Sequence, residues 1–253
     1  MIIGVLHLKP LPGSPHHISF DEVIDHAIRN ARKLEEGGVD AILVENYGDR
    51  PYFQKAGVET VACMTSVMKD VRNEISLPVG VNVLRNDPVA ASAIAKAVRA
   101  EFIRVNQPVF PSASPEGFLE PSSAFLARYI RQIDLKVRIF ADIMVKHAVH
   151  FAGIDDYLDS LERAFADCIV VTGKATGKPP DSEELKKVKE KATLPVFVGS
   201  GVNAENIDIF GKYADGFIVG TYFKDGEEVN AEKVRKLCSL LSESGLDPSF
   251  FEL

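Results

Sequence analysis

The chain has 253 residues, 46% of them hydrophobic and 26% charged, and a formal net charge of −7. Such values describe a globular protein with a large core and the usual size of one (β/α)8 barrel, although the length also admits two small domains. The acidic balance argues against a nucleic-acid surface or an anionic membrane surface, no apolar run is long enough to span a bilayer, and the N-terminus lacks the basic region of a secretory signal.

The first expected strand is Ile2 to Leu8, followed by a loop, Pro10-Leu11-Pro12-Gly13-Ser14-Pro15, that proline excludes from regular structure. A helix starts at Ser19, with Asp21 and Glu22 in its first turn and Val23, Ala27, Ala31 and Leu34 at apolar helical spacing; Gly37-Gly38 ends it. Strand two is Val39 to Val44, and a helix covers about Gly57 to Asn73. Strand three is Pro78 to Leu84, with Asp87-Pro88 opening an alanine-rich helix to Ala100. Strand four runs from Glu101 to Asn106, and residues 107–122 read as a long Pro- and Ser-rich loop, too polar for a core element. Then follow a helix from Ser122 to Arg131, strand five from Lys136 to Asp142, a helix from Ile154 to Arg163 and strand six from Asp167 to Val171. Asp181 caps a charged helix to Lys191, strands seven and eight lie at 196–198 and 217–219, a last helix spans Asn230 to Ser242, and 246–253 is a tail carrying Phe250 and Phe251.

Strand and helix alternate eight times with no linker or repeat, which predicts a single (β/α)8 TIM-barrel domain over 1–253. The alternative is a doubly wound open sheet, but the G-x-G-x-x-G fingerprint is absent after strand one. Cys63, Cys168 and Cys238 are too few and too dispersed for a disulfide framework or a zinc cluster. They fit small buried hydrophobes in a reducing cytoplasm, the expected compartment.

Two glycine turns, Gly199-Ser200-Gly201 and Gly220-Thr221, follow strands seven and eight. Loops at those places in a barrel often cradle a phosphate through free backbone N–H groups. The plainer reading is that the glycines only permit tight turns. Asn203 is placed to cap the short helix between these strands, with Glu205 in its first turn. The loop Thr172-Gly173-Lys174 to Gly177 is a third cluster of N–H groups, suited to the cradle or to a lid.

Several strands end in polar side chains: His7 and Lys9, Glu45 and Asn46, Asn82 with Arg85 beyond, Arg104 and Asn106, Asp142 with Lys146 and His147, and Thr172 with Lys174. In a barrel these converge on the C-terminal mouth, where catalytic residues lie. Any one of them could simply be a satisfied core group. Together they suggest His7, Glu45, Asn82, Asn106 and Asp142 for chemistry, and Lys9, Arg104, Thr172, Gly173, Lys174 and the glycine turns for an anionic substrate. Glu45 and Asp142 are also the candidates for a Mg²⁺ site.

The motifs IIGVLHLKPLPGSP (2–15), VENYGDRP (44–51), VGVNVLRND (79–87), DIMVKHA (142–148), VTGKATG (171–177), VGSGVNAEN (198–206) and VGTYFKDG (219–226) resemble those of the BtpA family along nearly the whole chain. That resemblance implies a barrel of the ribulose-phosphate-binding class. It also implies a family named for photosynthetic members with a part in photosystem I biogenesis, although other members occur without photosynthesis. The expectation is an enzyme acting on a phosphorylated sugar or nucleotide-derived metabolite, with a homo-oligomer conceivable and no nucleic-acid partner. The alternatives are a non-catalytic stability factor for a membrane complex and a sensor that binds without chemistry, which neutralised rim carboxylates would favour.

Overall fold

The computed structural model describes residues 1–173, 177–241 and 246–252. Eight parallel strands close into a barrel, which excludes the open sheet: β1 (Ile2–His7), β2 (Ala41–Glu45), β3 (Val79–Asn82), β4 (Phe102–Val105), β5 (Arg138–Ile143), β6 (Cys168–Val171), β7 (Val196–Val198) and β8 (Gly216–Val219). Helices α1 (Phe20–Gly37), α2 (Val58–Glu74), α3 (Pro88–Val98), α4 (Ser123–Gln132), α5 (Ile154–Leu161), α6 (Ser182–Lys191), α7 (Ile207–Phe210) and α8 (Ala231–Leu240) alternate with them. The predicted single barrel is thus the fold.

Local chemistry sets most boundaries. Ser19 Oγ accepts the N–H of Glu22 at the start of α1, and Gly38, with φ +87°, ends that helix in the left-handed region. Asp87, Asp181 and Asn230 cap α3, α6 and α8 through their side-chain oxygens. Asn203 behaves differently from expectation. Its Oδ1 accepts from the N–H groups of Glu205 and Asn206, so it closes a turn, and only four residues of regular helix follow from Ile207.

Period-two alternation separates two apolar compartments. Ile42, Val44, Val81, Ile103, Ile139, Ile169, Val196 and Val198 face outward and pack with the helices. Ile3, Val5, Leu43, Phe102, Phe140, Val170, Phe197 and Ile218 fill the barrel itself. Room for the rings comes from small neighbours: a Cβ on Gly80 would lie 2.2 Å from the Phe102 ring. Phe251 of the tail is 3% exposed and joins this inner cluster, its ring 5.0 Å from that of Phe102, so the tail caps the N-terminal end of the barrel.

The stretch 107–122 departs from the expected loop. Ser112–Ser114 and Gly117–Leu119 form a hairpin, joined by Val149–His150 into a three-stranded sheet. Its polar residues satisfy one another. Gln107 Nε2 donates to the carbonyls of Val109 (3.1 Å) and Phe110 (2.6 Å) and to Tyr157 Oη (2.8 Å), while its Oε1 accepts from Ser112 Oγ. A buried polar side chain that uses its donors and its acceptor this way removes the objection that the segment is too polar to be ordered.

Candidate functional site

Strand register lines up the polar residues. His7 pairs with Glu45 across β1 and β2, and Glu45 pairs with Asn82 across β2 and β3. The three side chains therefore stand at one level on neighbouring strands, directly above the apolar filling. Arg104 rises beside them from β4. Its Nε and one terminal nitrogen grip the two oxygens of Asp142 at 2.9 and 3.1 Å, and its other nitrogen reaches Glu45 Oε1 at 3.1 Å. Asn82 Nδ2 donates to the same Glu45 oxygen (3.1 Å), and Asn106 Nδ2 donates to Asp142 Oδ2 (2.9 Å). Burial opposes the Arg104 charge, but Asp142 and Glu45 more than compensate and hold its proton more firmly than usual.

The network sorts the two carboxylates. Asp142 is 0% exposed with both oxygens engaged, so it anchors Arg104 and does not line the cavity above. Glu45 keeps Oε2 for the cavity, with His7 Nε2 at 3.7 Å, beyond hydrogen-bond length. This arrangement does not fit a Mg²⁺ shared by Glu45 and Asp142, because the guanidinium already occupies the space between them. Among the described residues no group of three or more His, Cys, Asp or Glu is placed to hold a metal.

The cavity, about 510 Å³, is ringed by strand ends and loops. Of the expected residues it gathers His7, Glu45, Asn82, Arg104, Asn106, Gly199, Ser200, Gly201, Gly220 and Thr221. Lys9 lies elsewhere, paired with Glu22 and, at 3.6 Å, Glu227. Thr172 and Gly173 sit behind the wall, and Lys174 is outside the described residues. Tyr47, Arg50, Tyr52 and Glu116 also line the cavity; the first three follow the end of β2 within a few residues, and nothing in the sequence pointed to Glu116. Glu116 comes from the hairpin tip and lies 3.5 Å from Arg85 Nε, while Arg85 also donates to the Lys146 carbonyl. Arg85 thereby ties the loops after β4 and β5 over the mouth.

The glycine turns are only partly as expected. The N–H of Gly199 continues the sheet by bonding the Val171 carbonyl (2.8 Å), and the N–H of Gly173 donates to Ser200 Oγ (2.8 Å), which itself donates to the Lys178 carbonyl. Ser200 therefore ties two loops together. The N–H groups of Gly201, Val202, Gly220 and Thr221 have no backbone acceptor among the described residues, and all four residues line the cavity. Gly201 has φ +70°, and a Cβ there would meet the Pro179 nitrogen at 2.1 Å.

Four cationic side chains, Arg50, Arg85, Arg104 and Lys146, line the cavity against two carboxylates, Glu45 and Glu116. Burial, then the charges of Lys224, Lys146, Arg104 and Arg50, push the His7 pKa well down, so its imidazole is neutral. Burial and then Arg104 also lower the Lys146 pKa. His7 Nδ1 and Asn106 Oδ1 are buried without a partner among the described residues. The site thus offers four amides without a backbone acceptor among the described residues, a positive field, a neutral imidazole and a Glu45 oxygen outside the Arg104 network.

Comparison with known proteins agrees with this architecture. A model of the BtpA family matches residues 1–243. An uncharacterised protein of Archaeoglobus fulgidus is 53% identical over 93% of this chain and 96% of its own length. A protein of Synechocystis named photosystem I biogenesis protein BtpA is 40% identical, covering 90% of this chain and 82% of its own. Among solved structures, (S)-3-O-geranylgeranylglyceryl phosphate synthase of Thermoplasma acidophilum, in complex with its substrate sn-glycerol-1-phosphate, superposes with a TM-score of 0.60 at 15% identity, over 94% of this chain and 91% of that one. Among the described residues no helix is long and apolar enough to cross a membrane.

Proposed function

The chain belongs to the BtpA family, and on that premise we propose that it is an enzyme acting on a phosphorylated sugar or nucleotide-derived small molecule. The observation that carries this reading is the free amide cradle of Gly201, Val202, Gly220 and Thr221, in the same cavity as Glu45 Oε2 and neutral His7. Four N–H dipoles in a field with more cations than carboxylates favour a phosphate dianion. A ligand anchored there puts the rest of its length over the polar row at the strand ends. Glu45 is the proton acceptor of the pair. His7, held neutral by burial and neighbouring cations and with Nδ1 unpartnered among the described residues, can hydrogen-bond a ligand or accept a proton from it in the reaction. Asn82 and Asn106 orient hydroxyl or carbonyl oxygens, and Asp142 is a positioning residue acting through Arg104. The pair suits isomerase, lyase or ribosyl-transfer chemistry. The Thermoplasma acidophilum synthase, by its name and bound substrate, handles a phosphate ester in a barrel of this kind, which supports the assignment by analogy of fold.

The test is mass spectrometry of small molecules released from undialysed protein, followed by thermal shift with phosphosugars. A phosphorylated metabolite that stabilises the wild type and not Gly201→Ala is expected. No stabilisation by any phosphosugar or by inorganic phosphate overturns the reading.

A second reading, a non-catalytic biogenesis or stability factor, draws on the Synechocystis relative's name and on one surface feature. Phe118, Val149 and Phe151 are 50%, 70% and 63% exposed, and Phe118 and Val149 flank Ala113 in one row across the three-stranded sheet. Phe251, in contrast, is occupied inside the barrel and gives that reading no support. Partner capture that survives Glu45→Ala but not Phe118→Ser would favour it.

A further inference from the structure

A second hollow, about 710 Å³, opens beside the main cavity between the segments that follow β1, β2 and β8. The two share one wall, because His7, Tyr47, Arg50 and Thr221 line both. The hollow is basic in a particular way. Lys9 is already neutralised by Glu22 and Glu227. Arg50 and Lys224 are different: among the described residues no carboxylate lies within ion-pair distance of either. The Arg50 guanidinium is stacked 4.5 Å from the Tyr47 ring centroid, which fixes its plane at the junction of the two hollows. Lys224 is held on the short strand Lys224–Asp225, paired with Glu228–Val229, and its side chain is half-buried. Burial lowers its pKa to about 8 against the opposing pull of Glu45 and Glu227, neither of which reaches ion-pair distance. His26, only 2% exposed, lines the same hollow with Nδ1 unpartnered among the described residues.

A partly desolvated cation without a counter-charge is costly unless something anionic completes it. We propose that this hollow is a second phosphoryl subsite, held by Arg50 and Lys224 and joined to the first at His7. The mouth would then take a ligand with a phosphoryl group at each end, or two phosphorylated reactants side by side, with His7 at the junction in both cases. Arg50 and Thr221, which line both hollows, become the residues that set the spacing between the two phosphoryl groups. The inference rests on the proposed function for the first subsite only.

Tungstate, a phosphate-shaped anion with strong anomalous scattering, tests it directly. Wild-type crystals soaked in tungstate should show two peaks per chain, one at Gly201 and Gly220 and one between Arg50 and Lys224. Lys224→Met, or Lys224→Gln should the first variant fail to fold, should lose the second peak and keep the first. In solution, each should weaken stabilisation by fructose 1,6-bisphosphate or inorganic pyrophosphate at least tenfold while changing the orthophosphate response less. Stronger stabilisation by the bisphosphate than by two equivalents of orthophosphate identifies a single two-ended ligand; equal stabilisation identifies two separate ones. A peak at the glycine turns with none at Arg50 and Lys224 overturns this inference and leaves the first reading intact. A peak at Arg50 and Lys224 alone does the reverse.

Discussion

At its N-terminal end the barrel is closed by the rings of Phe102, Phe140, Phe197 and Phe251, with centroids 5.0 to 6.3 Å apart. At the other end the same strands present His7, Glu45, Asn82, Arg104 and Asp142, nearly all buried. The first end gains stability from burial alone, at roughly 25 cal/mol per Å² of apolar surface. The second buries charges, which an apolar filling of the same volume would often match or improve on in stability. A fold that keeps the more expensive arrangement at only one end, beneath an open cavity, has separated the part that holds it together from the part that meets a ligand.

The largest effect expected from breaking this division is at the closed end. Phe140→Ala removes a fully buried ring that packs against four others and should cost about 3–5 kcal/mol. Urea unfolding measures it, and the surviving folded protein should retain its response to phosphate. Arg104→Met at the open end should cost a similar or slightly smaller amount, about 3 kcal/mol, because Asp142 and Glu45 keep only the amides of Asn106 and Asn82 and lose their shared counter-charge. The sharper comparison replaces Glu45, Arg104 and Asp142 together by apolar residues of similar size. Stability should largely return while ligand binding does not, which no combination at the Phe140 end should reproduce.

Gly201→Ala comes next. It needs φ +70° and displaces the Pro179 backbone, at about 1–3 kcal/mol of stability, and phosphate-dependent thermal stabilisation should fall at least tenfold. The smallest effect is a pH slope. His7 lies well below 6.5 when folded, because of burial first and neighbouring cations second. On acidification the unfolded chain takes up this proton first. The contribution is therefore intact above the unfolded value and is lost as pH falls from about 6.5 toward the folded value, at no more than about 1.4 kcal/mol per pH unit. His26 adds with the same sign. His7→Asn should flatten the slope between pH 7 and 5.5 in urea titrations, and an unchanged slope would remove His7 as its source.

How much of this was legible beforehand varies by residue. Ser19, Asp87 and Asp181 announced their helices, because a side-chain cap needs only its own neighbours in the chain. The glycine turns after β7 and β8 were placed correctly, but which of their amides stay free was not readable. Gly199 is taken by the sheet and Gly173 by Ser200 across 27 residues. Tyr47, Arg50 and Glu116 were missed as cavity walls because their segments lie outside the strand pattern and reach the mouth only through folding of the loops. The hairpin at 112–119 was missed because Gln107 satisfies it from inside, a contact that composition cannot reveal.

The alternation of strand and helix, the spacing of apolar residues and the caps were written in the sequence, and they determined the barrel, because each depends on residues a few positions apart. The division of labour between Glu45 and Asp142 was decided by tertiary structure alone. Both are acidic residues ending a strand, and only the closed sheet brings Arg104 to Asp142 at 2.9 Å and leaves Glu45 Oε2 toward the cavity. Charge pairing in a buried site depends on distance and solvent access, and neither exists until the strands have met.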